Sequence, residues 1–136
     1  MRIARISAIT VAAALAFTGL AACGKTTVEG PAGQKLTIVK PADQTVKQGE
    51  TNKVTITVNR TGFDAPVQIE VRDLPSGVSV AGGNTLTIPT DDNLVTVTLV
   101  AAADAPPTGD VRASVTARGL NGMAATEFFN VRVAAR

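Results

Sequence analysis

Few residues in this chain are equipped for chemistry. Cys23 is its one cysteine, and there is no histidine, tryptophan or tyrosine. Without an imidazole there is no base for a Ser or Cys nucleophile and no histidine ligand for a metal, which removes the commonest hydrolase and zinc designs. Carboxylates remain. Asp91 and Asp92, beside Asn93, offer hard oxygen ligands of the kind that hold Ca²⁺, but Asp and Asn in such a run also bond their own backbone and make a turn. Glycoside hydrolysis would need two carboxyls across a cleft, and Glu70, Asp73 and Glu127 sit on strands or turns with no adjoining aromatic platform. The sequence therefore predicts no catalytic residue and no cofactor, with Asp91, Asp92 and Asn93 as the metal candidates and turn formation as their simpler role.

Gly19-Leu20-Ala21-Ala22-Cys23-Gly24-Lys25-Thr26 has the G-x-x-x-x-G-K-[ST] spacing of a phosphate-binding loop. That loop works between a buried strand and a helix N-terminus that faces phosphate. Here it follows Arg2 and Arg5 and an apolar stretch from Ile6 to Phe17, broken by Ser7 and Thr10, which is the pattern of an export leader. The stretch is shorter than the roughly 20 apolar residues that span a bilayer. Cleavage would cut the loop in two, so no nucleotide is expected.

The chain has 136 residues, room for one domain. Its 13 basic and 11 acidic residues become 11 of each once Arg2 and Arg5 leave with residues 1–22. A near-zero balance argues against a nucleic-acid surface. One cysteine makes no internal disulfide, so an exported domain of this size relies on core packing.

Leu20-Ala21-Ala22-Cys23 resembles the lipobox of bacterial lipoproteins: leucine, two small residues and the cysteine that is modified. The resemblance implies cleavage between Ala22 and Cys23, lipid on the Cys23 sulfur, and membrane attachment through that lipid. Gly24 is not the aspartate that retains such proteins on the inner membrane, so the outer membrane, facing the periplasm or the cell surface, is the expected address. Independently, a sole cysteine between an export leader and a polar segment has no packing partner, whereas more than one acyl chain anchors stably. Residues 23–34 read as lipidated N-terminus and flexible tether. About 11 coil residues would reach roughly 18 Å.

From Lys35 onward apolar residues alternate with Thr, Ser, Asn and charge, the period-two pattern of half-buried strands. Leu36 and Ile38, Val54 to Val58, Val67 to Val71, Val78 and Val80, Leu86 and Ile88, Val95 to Leu99, Val111 to Ala117, and Phe129 to Val133 mark seven to eight strands separated by Gly, Pro and Asp turns. Residues 35–136 are thus predicted to be an all-β, antiparallel immunoglobulin-like sandwich, with a barrel as the alternative. Several motifs resemble bacterial Ig-like domains of surface and envelope proteins: Val54-Thr55-Ile56-Thr57-Val58-Asn59-Arg60 with Gly62-Phe63 and Pro66-Val67, Leu74-Pro75-Ser76-Gly77-Val78, and Pro107-Thr108-Gly109. Many members carry a tyrosine where Val111 stands. The resemblance implies a non-catalytic spacer, adhesion or interaction module.

Pairing the last two strands as Val111 with Val133, Ala113 with Val131 and Val115 with Phe129 matches all their apolar residues. That register sets Arg112 opposite Arg132, Thr116 opposite Phe128 and Arg118 opposite Thr126. Like charges face to face are unfavourable, so Arg112, Arg118, Phe128 and Arg132 are the predicted contact face for an acidic partner, with a solvated face as the plain alternative. Asn59-Arg60-Thr61 matches the N-glycosylation pattern, which a bacterial lipoprotein would not normally use. The expected role is a lipid-anchored envelope module for protein interaction or structural support. A small-ligand or carbohydrate-binding accessory lipoprotein is the alternative, and a concave cleft would favour it.

Overall fold

The computed structural model describes residues 24–136, so Ala22 and Cys23 lie outside the described residues. Ten strands follow one another: β1 Lys25–Glu29, β2 Lys35–Val39, β3 Gln44–Lys47, β4 Thr51–Thr61, β5 Val67–Arg72, β6 Val78–Val80, β7 Thr85–Ile88, β8 Leu94–Ala101, β9 Val111–Arg118 and β10 Ala124–Ala134. They form two five-stranded sheets, β1-β2-β4-β8-β6 and β3-β10-β9-β5-β7. The inward positions of the alternation meet between them: Leu36, Ile38, Ile56, Val58, Ile69, Val71, Leu99, Val115, Phe129 and Val131 are all buried. This is the immunoglobulin-like sandwich, with β3 running parallel to β10 and every other pair antiparallel.

Two strands exceed the sequence expectation, β1 and β3. The segment read as a flexible tether forms β1, which pairs with β2 from Lys25 opposite Val39 to Glu29 opposite Lys35. Val28 is its one apolar anchor and packs on the core, while Thr27 and Thr37 bond through their hydroxyls at 2.6 Å. Low apolar content hid this strand, yet threonine and valine favour the pleated surface and an edge strand needs to bury little. A turn with positive φ at Ala32 (58°) and Gly33 (75°) closes the hairpin, the left-handed pair that type I′ turns require. The β9–β10 hairpin closes the same way at Asn121 (58°) and Gly122 (76°), and Asn121 Nδ2 donates to Gln34 Oε1 across the two turns.

The segment from Pro41 to Gln48, which has no strand signal of its own in the sequence, is a crossover from one sheet to the other, with Val46 of β3 filling the core. β3 covers β10 only from Val131 to Ala134. Above that point the β10 edge is closed by side chains: Lys40 Nζ donates to the Phe128 carbonyl at 2.9 Å, and the Asn130 N–H donates to Asp43 Oδ1 at 2.9 Å. An uncapped edge would be a template for another chain.

The Leu74-Pro75-Ser76-Gly77-Val78 turn is held by Val78 N–H donating to the Pro75 carbonyl at 3.0 Å. Gly77 has φ 82°, and a Cβ there would lie 2.6 Å from that of Ala105. Only glycine fits that approach.

Candidate interaction face and loop cleft

The outer face of β9 and β10 departs from the expected register by two residues. Arg112 stands opposite Asn130, Ser114 opposite Phe128, Thr116 opposite Thr126 and Arg118 opposite Ala124. Arg112 and Arg132 are therefore not cross-strand partners. Both registers keep the same side chains inward, so alternation cannot choose between them; the tight Leu120-Asn121-Gly122 turn does, by setting Gly119 N–H on the Met123 carbonyl at 2.8 Å. Thr116 and Thr126 then bond at 2.8 Å.

The shift separates the four predicted contact residues into local pairs. Arg132 Nε lies 3.1 Å from Asp110 Oδ1. Arg118 is 3.7 Å from Glu70, which also takes Arg72 Nη2 at 2.8 Å. The Arg72 hydrogen bond, with the charges of Arg72 and Arg118 behind it, holds the Glu70 carboxyl below its usual range. Arg112 has no carboxylate within ion-pair distance among the described residues, and its guanidinium lies 3.9 Å from the Phe128 ring centroid. Phe128 is 39% exposed, unusual for a large aromatic on a sheet face. Beside it, the Asn130 backbone N–H, reinforced by Lys40, lowers the Asp43 pKa.

On the inward side of the same strand, Glu127 is only 6% exposed. Its Oε2 accepts a bond from Thr26 Oγ1 of β1 at 2.7 Å. The sequence offers Glu127 only as a carboxyl to weigh for hydrolysis, yet strand parity places it with Ala125, Phe129 and Val131, and a carboxylate on an inward position demands a partner.

A shallow cleft of about 370 Å³ lies between the β4–β5 and β7–β8 loops, lined by Asn59, Arg60, Phe63, Asp64, Asp91, Asp92 and Asn93. Arg60 stitches its walls, donating to the carbonyls of Ala65 (2.8 Å), Asp92 (2.6 Å), Ile88 (3.1 Å) and Pro89 (2.8 Å). Four of the five guanidinium N–H groups are thereby spent on loop backbone. Asp92 N–H donates to the Pro89 carbonyl at 3.1 Å, so the Asp91-Asp92-Asn93 run builds a turn. Among the described residues, no three Asp, Glu, Cys or His side chains gather as metal ligands.

No family model matches the chain, and no curated protein matches it. Among solved structures, PapD-like domain 7 of human CEP192 gives a TM-score of 0.52 at 13% identity, covering 91% of this chain and 98% of that one. A family 123 glycoside hydrolase from Clostridium perfringens gives 0.49 at 10% identity over 72% of this chain, which spans 23% of the hydrolase. A conjugative transposon lipoprotein from Bacteroides eggerthii gives 0.44 at 14% identity, covering 71% and 93%. The likeness to the PapD-like domain is one of fold.

Proposed function

We propose that this chain is a cell-envelope lipoprotein, lipid-modified on Cys23 and cleaved between Ala22 and Cys23, whose sandwich is a non-catalytic module for protein interaction or structural support. The junction carries the reading. Gly24 alone separates the lipobox cysteine from an ordered strand, so the module is displayed directly at the membrane surface. Its charged side chains support a structural role, since Arg60 holds loops together and Arg118, Arg132 and Arg72 are engaged with carboxylates. The sandwich likeness supports the same reading without adding a partner.

The test is a Cys23→Ser precursor beside the native one. The native chain is expected to be processed, to carry acyl mass at residue 23 and to partition into the detergent phase; the variant is expected to remain uncleaved and aqueous. Normal maturation of the variant would overturn the anchor. Cross-linking in intact cells, followed by identification of what co-purifies, then tests for an envelope protein partner, and membrane fractionation tests the outer-membrane address that Gly24 implies.

A further inference from the structure

The start of the described chain lies near the Arg112–Phe128 pair, at the edge of the sandwich where β1 of one sheet passes β10 of the other. The Gly24 carbonyl accepts the Lys40 N–H at 2.6 Å, the Lys40 ammonium reaches the Phe128 carbonyl at 2.9 Å, and Thr26 bonds Glu127, the residue before Phe128. Lys40 and Arg112 stand around that corner, both exposed, with Arg132 further along β10, while Lys25, next to the inward Thr26, points to the outer face of the other sheet. Asp43 offsets Lys40 and Asp110 offsets Arg132. Among the described residues, Arg112 is left without an acidic partner.

We infer that this corner docks on the anionic headgroups of the bilayer holding the anchor, with Phe128 entering the interface and Lys40 and Arg112 on lipid phosphates. The inference rests on the lipid-anchor reading and names the partner of the Arg112–Phe128 face. Consecutive Cα atoms are about 3.8 Å apart, so an acylated Cys23 brings Gly24 and its neighbours to headgroup depth in every orientation. What remains free is the roll of the domain about that point. An aromatic ring with a cation over its face suits the boundary between acyl chains and headgroups, and each basic residue near an anionic surface adds attraction. An acidic protein partner would need neither the anchor nor the junction to lie beside this face.

The test uses the mature acylated chain in nanodiscs of phosphatidylcholine, with or without phosphatidylglycerol. The native sulfur is blocked by lipid, so Asn130→Cys or Asn84→Cys supplies the single free thiol for a fluorophore. Asn84 lies beside β7, the opposite edge of that sheet from β3. A lipid spin-labelled at its headgroup is expected to quench position 130 strongly and position 84 weakly, more so with phosphatidylglycerol. Arg112→Glu is expected to reduce the docked population roughly fivefold, and Phe128→Ser to reduce it as well, while both proteins stay on the disc. Circular dichroism of each variant checks that the sandwich is intact. A chain that carries acyl groups yet shows equal quenching at both positions overturns this inference alone. A protein shielding position 130 without lipid quenching also overturns it. A chain without acyl mass at Cys23 overturns the anchor reading beneath it.

Discussion

Thr26→Val is expected to destabilise the domain by about 1–3 kcal/mol, because it leaves a buried carboxylate without its hydroxyl donor. Glu127 is 6% exposed and accepts the Thr26 bond at 2.7 Å; its other contact, the Phe128 N–H to Oε1, is longer at 3.3 Å. The isosteric change keeps the shape of residue 26 and removes only the donor. In a Glu127→Leu background there is no carboxylate to strand, and the same change is expected to cost under about 0.5 kcal/mol, so the two positions couple by roughly 1–2 kcal/mol. Urea denaturation of the four proteins measures the cycle. Amide exchange adds the location: in Thr26→Val the amides of Lys25 to Glu29 should lose protection before those of β4, since an edge strand opens locally at less than the global cost. Release of β1 would restore an 11-residue leash with a reach of roughly 18 Å, and with it the mobility that the folded junction denies the domain. Equal cost of Thr26→Val in both backgrounds, or unchanged exchange in β1, would refute the reasoning.

Ala32 occupies the left-handed region at φ 58° where the matching turn has Asn121, so Ala32→Asn should stabilise by about 0.5–1 kcal/mol in thermal melts; a loss would show that the backbone there is not left-handed. Gly77→Ala combines φ 82° with a Cβ placed 2.6 Å from that of Ala105, and about 2–4 kcal/mol of destabilisation is expected in the same assay. Asp43 and Glu70 both have carboxyl pKa values lowered by folding, so their contribution is present above the ordinary carboxylate range and lost as pH falls through the depressed values. The melting temperature should therefore hold from neutrality to about pH 5 and decline below about pH 4; a rise on acidification would contradict the geometry around both groups.

Alternation from Leu36 to Val133 was sufficient to specify strands that each bury one face, which suits a sandwich or a barrel alike, and the pairing into two five-stranded sheets decided for the sandwich. Leu74-Pro75-Ser76-Gly77-Val78 was equally legible: its glycine is demanded by a local φ and a near neighbour. The β9–β10 register was not, since slipping by two residues preserves every inward side chain and leaves the choice to turn geometry. β1 and β3 escaped for a related reason. Each buries very little alone, and each exists because a distant strand offers it an edge, β2 in one case and β10 in the other. The Thr26–Glu127 bond joins residues 101 positions apart, and only the closing of one sheet on the other brings them together. Local chemistry thus set which residues face inward, while contacts distant in sequence decided what each outward or polar residue meets.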